Sequence, residues 1–417
     1  MNDYIKEKKM KIVILGENGF IGTYIASYLK EKNFEIVSLQ SKLDFMEPPT
    51  HESLVEMFKK VDVVVNAVGI IAETKNRTFN QIHTLAPIVI FDACIEAKVQ
   101  KVIHISALGT ETGTTPYHVT KNRADIYLRE SGLNYAILHP SVVYGDDGKS
   151  TALFQALATL PLTPIVGNGQ QALQPIRIED LVVTVQKSIE SSDMAIELNL
   201  VGAEPITYEG LLQTFRKCLG YRETNSISLP IFGTNVIGKV LEEPTVNHDN
   251  IIMLNEGNSA DVMPLKNFLG YEPIGFKENL EKSKAHNSQR LYTSLYLTRP
   301  LLRILIGFVW IWSGVVSVFF YPQALALDLL RELGIPMGLD IPLLYIASFL
   351  DITLGILTII GYRLQSLLTL QIVVITFYTL LLTFLAPYHW LHPFGPVLKN
   401  LPLIVSIYIL SRLEKFR

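Results

Sequence analysis

Through the first 143 residues, short runs rich in Val and Ile alternate with longer stretches of mixed polarity. KIVILG (11–16), FEIVSL (34–39), VDVVVNAVG (61–69), VQKVIHIS (99–106) and NYAILHPSVV (134–143) read as strands. Each run is almost continuously apolar, as parallel strands covered on both faces are. Helical stretches near 20–31, 51–60, 79–97 and 118–131 separate them. This alternation predicts an α/β fold built on a Rossmann-like, doubly wound parallel sheet. From 144 to 290 the pattern is less regular and richer in Pro and Gly, with helices near 150–160, 179–191 and 207–219. That region reads as a small substrate lobe. The polar stretch KENLEKSKAHNSQRLYTS (277–294) reads as a linker, so the first domain spans 1–290.

The pattern then changes. Leu301–Phe320 is an apolar run broken only by Arg303, Pro342–Gly361 is another with Asp351 near its middle, and Leu364–Ala386 is apolar with no charge at all. All three are long enough to cross a bilayer, and the shorter run Val397–Leu410 is marginal for length. Residues 295–417 are therefore predicted to be an all-α, four-helix transmembrane domain. Arg299, Arg303, Arg363 and the tail SRLEKFR fall on one side of these runs, and Asp328, Glu332 and Asp340 on the other. Positive residues mark the cytoplasmic face, which places the first domain in the cytoplasm and the helices in the inner membrane. The leader MNDYIKEKKMKIVILG lacks the long apolar run of a secretory signal.

Composition sharpens this division. From Leu295 onward there are 13 charged residues and a net charge of +3, leaving −6 for the rest of the chain. Neither part has the clustered basic face that nucleic acid requires. The two cysteines, Cys94 and Cys218, lie far apart and have no metal-ligand spacing, which fits a reducing compartment. His389 and His392 form an H-x-x-H pair beside Trp390, read here as interface anchors rather than a metal site.

The first strand runs directly into GENGFIG, placing Gly16, Asn18, Gly19, Phe20, Ile21 and Gly22 at the mouth of a helix. Glycines there allow a tight turn and bring backbone N–H groups close to a pyrophosphate. Asn66, Ala67 and Gly69, in NAVG, end the third strand with small residues suited to passing under a cofactor. At the tip of the second strand, Leu39-Gln40-Ser41-Lys42 offers no acid for a ribose 2′-hydroxyl, while Lys42 suits a 2′-phosphate. NADP(H) is therefore favoured over NAD(H), with Asp44 as a candidate for the adenine amino group.

Tyr-x-x-x-Lys occurs three times: Tyr4/Lys8, Tyr28/Lys32 and Tyr117/Lys121. Only the third opens a helix directly after a sheet strand, the position where ligands of open α/β sheets bind. A spacing of four puts both side chains on one helix face. With GENGFIG, NAVGI, HISALG, YHVTK, HPSVVYG and QPIRIEDL, residues 10–290 resemble an atypical extended short-chain dehydrogenase/reductase. The resemblance extends to the group that includes the nucleotide-binding accessory subunit of respiratory complex I. It implies that Ser106 holds a substrate carbonyl and Tyr117 exchanges the proton. Lys121 would bind the nicotinamide ribose and lower the tyrosine pKa, and Pro140 would line the cofactor cleft. His139 departs from the family pattern, which usually has arginine there.

Residues 295–417 resemble the DoxX-like membrane family on WIWSGVVS, SFLDITLG and HWLHPFGPVLKNLP. Taken together, these features predict a membrane-anchored NAD(P)H-dependent oxidoreductase acting on a quinone or other lipid-soluble carbonyl. The alternative is a non-catalytic NADP(H)-binding assembly or regulatory factor for a membrane complex. A homo-oligomer and a membrane-complex partner both stay open.

Overall fold

The computed structural model describes residues 9–37, 50–229, 238, 243, 245–283, 285, 287–393 and 395–416. The chain divides into two compact units, with the boundary at Thr293 and Ser294.

In the first unit, six strands form one sheet: β1 (Lys11–Leu15), β2 (Glu35–Ile36), β3 (Val63–Asn66), β4 (Lys101–Ile105), β5 (Tyr135–Pro140) and β6 (Ala195–Leu200). They pair in the order β6-β5-β4-β3-β1-β2, parallel throughout. Flanking them are α1 (Phe20–Glu31), α2 (His51–Phe58), α3 (Ala86–Glu96), α4 (Pro116–Glu130) and α5 (Ile178–Glu190). Side chains alternate between the two faces of a strand. Ile12 and Ile14 accordingly join a core with Ile103, Leu138, Leu181 and Val185. Val13 and Leu15 join the opposite core, with Val64, Phe58, Phe91 and Leu128. Burial on both faces is what the continuous apolar runs encode.

The pattern predicts five strands, whereas the sheet has six. β6 lies at the sheet edge and alternates exposed with buried residues, so its sequence AIELNL has no apolar run to announce it. The expected strand over 134–143 is split, with β5 ending at Pro140 and a separate short strand at Val143–Tyr144. The helix expected over 79–97 is also divided. Asn80–Leu85 winds as a π-helical turn, and the N–H of Ala86 reaches back to the Gln81 carbonyl before α3 continues. Pro87 has no N–H with which to extend an α-type ladder, and a wider turn accommodates it. The expected linker is helical over Phe276–Lys282 and Asn287–Tyr296, supported in the first by a Glu278–Lys282 pair at 2.6 Å.

The chain passes from β1 to β2 on one side and returns to β3 on the other. The carboxyl ends of β1 and β3 therefore frame a topological switch point, where open α/β sheets take their ligands.

The second unit is helical: α6 (Thr298–Val315, within a longer span Asn287–Phe320), α7 (Asp340–Ile360), α8 (Leu364–Leu385) and α9 (Asn400–Leu413). Three spans, Asn287–Phe320, Asp340–Ile360 and Leu364–Leu385, are long and apolar enough to cross a membrane. α9, with 14 residues, is shorter. Small residues bring α6 and α7 together. A Cβ at Gly355 would lie 2.5 Å from the Gly307 carbonyl oxygen, and one at Gly314 would lie 2.4 Å from that of Ser348. Such close backbone approach is a common basis of helix pairing in lipid. Polar links cross the same unit, from Gln371 Nε2 to Thr358 Oγ1 (2.6 Å), Asn400 Nδ2 to Thr379 Oγ1 (2.9 Å) and Ser313 Oγ to Asp351 Oδ2 (3.2 Å).

Candidate functional site

At the switch point the glycine turn is held by backbone geometry. Gly16 has φ +84°, and a Cβ there would lie 2.9 Å from the Ala67 carbonyl oxygen at the end of β3. Gly22 is tighter, since a Cβ would come within 2.0 Å of the Gly16 carbonyl oxygen. That oxygen accepts from the Gly19 N–H at 2.9 Å, closing the turn onto the first residue before α1. Gly19 supplies no side-chain cap, so the leading N–H groups of α1 face outward with the positive end of the helix dipole. Asn18 and Gly19 are exposed at the rim. Phe20 packs toward Gly145 and Gly148, and Ile21 packs on the sheet core. This cradle fits a pyrophosphate, because Cβ atoms at these glycines would fill or distort it.

Gly69 continues the path. A Cβ placed there would lie 3.7 Å from Lys121 Nζ and 3.8 Å from His83 Nε2. Ala67 and Gly69 therefore connect the glycine turn to the start of α4. Thr115 caps that helix by accepting from the His118 N–H, and Pro116 occupies its first turn.

Tyr117 is half-buried, and its ring meets the edges or faces of Phe79, His83 and His118 at centroid distances of 5.7, 5.2 and 5.7 Å. Lys121 is almost fully buried and stands 5.7 Å from the centre of the Tyr117 ring. Its ammonium donates to the carbonyls of Ile105 (3.1 Å) and Ser106 (3.3 Å), at the end of β4. Burial draws the Lys121 pKa down to about 8, partly offset by Asp125. The Tyr117 phenol moves the other way, raised by burial and then by Asp125. The family resemblance implies a tyrosine pKa lowered by the lysine; here burial and Asp125 raise it instead.

Two other expected site residues face inward. Ser106 Oγ donates to Asp125 Oδ2 at 2.7 Å. Asn66 Oδ1 accepts from the Val68 N–H at 3.2 Å, and Asn66 Nδ2 donates to His104 Nδ1 at 3.1 Å. Both side chains belong to a buried polar network around Asp125. His139 lies there as well, its Nδ1 donating to the Ala107 carbonyl at 3.2 Å. Pro140 ends β5, and its carbonyl accepts from the Leu108 N–H at 2.9 Å. Ser41, Lys42 and Asp44 lie outside the described residues.

Sequence reasoning did not single out His83, His104, His118 or Asp125. His83 sits on the π-helical turn and accepts from the Ile70 N–H through Nε2 at 3.1 Å. Burial and the Lys121 cation push its pKa down to about 2, so it stays neutral. Asp125 carried a readable signal, because Tyr117, Lys121 and Asp125 continue one stripe at a spacing of four.

Known proteins share this fold. Residues 12–197 match the NAD dependent epimerase/dehydratase family, and residues 307–408 match the DoxX-like family. The mouse protein named NADH dehydrogenase [ubiquinone] 1 alpha subcomplex subunit 9, mitochondrial, is 22% identical over 69% of this chain and 83% of its own length. An epimerase family protein of Mycobacterium leprae is 21% identical over 57% of this chain and 86% of its own length. Among solved structures, the UDP-glucuronic acid 4-epimerase of Bacillus cereus, in complex with UDP-glucuronic acid and NAD, shares the fold. Its TM-score is 0.51 at 18% identity, over 68% of this chain and 99% of that one. The chain is therefore similar to the NAD dependent epimerase/dehydratase family over residues 12–197 and to the DoxX-like family over residues 307–408.

Proposed function

We propose that this protein is a membrane-anchored NAD(P)H-dependent oxidoreductase whose acceptor is a quinone or another lipid-soluble carbonyl. The observation that carries this reading is the Lys121 ammonium held at the carboxyl end of β4, close to Gly69 and 5.7 Å from the centre of the Tyr117 ring. The glycine turn and the start of α1 would hold the pyrophosphate, and Lys121 would hold the nicotinamide ribose. A bound dihydronicotinamide supplies a hydride. Tyr117 then delivers the proton to the oxygen that becomes negative, from a phenol that burial keeps protonated. The rings of Phe79, His83 and His118 limit water at that point. The apolar helices in the same chain support a substrate that partitions into lipid. A preference for NADP(H) rests on Lys42, and a cytoplasmic first domain rests on the flanking arginines.

The test is purified full-length protein in detergent, assayed for NADPH and NADH oxidation against a panel of quinones and apolar carbonyls. Turnover is expected in the wild type and a loss of at least a hundredfold in Tyr117→Phe. Tight nucleotide binding without oxidation across the panel would sink the enzymatic reading.

One observation favours a second reading, a nucleotide-loaded assembly or regulatory factor for a membrane complex. Ser106 spends its hydroxyl on Asp125, which leaves the site without the expected carbonyl donor. Intact cellular function in Tyr117→Phe, with nucleotide still bound, is the outcome that selects it.

A further inference from the structure

Asp125 is fully buried and is faced by polar groups from β4, the loop beyond it and β5. Ser106 Oγ, at the end of β4, donates at 2.7 Å, and Thr110 Oγ1, in the loop beyond, donates at 3.2 Å. On β4 itself, His104 Nε2 stands 3.5 Å from Asp125 Oδ1, while on β5 His139 Nδ1 stands 4.0 Å from Oδ2.

The protonation pattern follows from the partners. Asn66 Oδ1 is taken by the Val68 N–H, so Asn66 presents its NH2 to His104 Nδ1. That nitrogen must then accept, and the ring proton sits on Nε2, facing Asp125. Ser106 and Thr110 donate to the carboxyl and the His104 Nε2 proton faces it at 3.5 Å, while His139 keeps its Nδ1 proton on the Ala107 carbonyl; this is the environment of a carboxylate. Burial raises the Asp125 pKa, while Ser106, His139, Lys121 and Thr110 each draw it back down.

Lys121 is the buried cation on the same helix face, one turn before Asp125. Ser106 connects the two charges, since its carbonyl accepts from Lys121 Nζ while its hydroxyl donates to Asp125. The strand end that positions the lysine is thereby fastened to the carboxylate beneath it.

We propose that Asp125 is a positioning residue of the nucleotide site, an internal counter-ion that keeps Lys121 charged and set for the nucleotide ribose, with Ser106 as the link between them. This rests on the reading that Tyr117 and Lys121 hold the nicotinamide end. It assigns Ser106 to the protein's own charge network rather than to substrate.

The experiment measures the affinity of full-length protein in detergent for NADPH and NADH between pH 6.5 and 9.5. Variants are Asp125→Asn, Asp125→Glu and Ser106→Ala. Wild-type affinity is expected to fall with a midpoint near pH 8, where Lys121 loses its charge. Other titratable groups facing the cluster are His83, His104, His118, His139, Tyr117 and Arg129. His83 and His104 are both held well below the tested range.

Asp125→Asn should move the midpoint to lower pH and weaken binding at least tenfold at pH 8, with affinity returning at pH 6.5. Asp125→Glu should restore part of the midpoint, and Ser106→Ala should move it the same way by less. Should Asp125→Asn fail to fold, the Ser106→Ala midpoint decides the question. Folded variants whose midpoints match the wild type overturn the proposal and leave Asp125 as packing. A wild type that binds neither nucleotide fails the underlying reading, and this inference falls with it.

Discussion

At the scale of single residues, the chemistry turns on how burial acts on opposite charges. A buried amine loses its proton more readily and a buried phenol holds its proton more tightly. Lys121 and Tyr117 show both effects within one helical turn. Lys121 is cationic below about pH 8 and neutral above it. On the proposed reading, its attraction for a phosphate-bearing nucleotide would be present at neutral pH and lost as pH rises through that value. Lys121→Met should remove this pH dependence and weaken binding at least tenfold at pH 7, as read by nucleotide fluorescence titration. Tyr117→Phe keeps the ring contacts with Phe79 and His83, so binding should stay within a few fold while any turnover is lost.

At the scale of elements, the glycine turn and α1 act as one device. Gly22→Ala would place a Cβ 2.0 Å from the Gly16 carbonyl oxygen, which is backbone and cannot swing aside. The start of α1 must shift, at a cost of about 1–3 kcal/mol. A lower Tm together with nucleotide affinity reduced at least tenfold is the expected result. This device was legible in the sequence because strand, glycines and helix are contiguous. Tyr117 and Lys121 were legible because helical spacing is local. The inward turn of Asn66 and Ser106 was not, since it depends on His104 and Asp125, which arrive from other elements. The π-helical turn bearing His83 was read as ordinary helix, although Pro87 marked the place where the ladder changes. β6 was missed for a related reason, as an edge strand needs only one apolar face.

At the scale of the whole molecule, the two units obey different solvents. The first closes two apolar cores over both faces of a sheet and leaves mainly polar groups outside. In the helical unit the buried side chains are few, and large apolar ones lie on the outside, among them Phe308, Trp312, Phe349, Val373 and Phe377. Water does not tolerate so much contiguous apolar surface, whereas a bilayer requires it. The small-residue crossing of α6 and α7 is likewise what packs helices where no hydrophobic force drives them together. Gly355→Leu would drive a side chain into the Gly307 carbonyl and the Ile311 side chain, and should lower the Tm of the detergent-solubilised protein. Because the chain divides at Thr293 and Ser294, the two solvents should be separable by truncation there. Full-length protein should stay with membranes through carbonate extraction, while a chain ending at Thr293 should appear in the supernatant and still bind nucleotide. A truncated chain that remains with the membranes would mean that the first unit has a lipid-binding surface of its own.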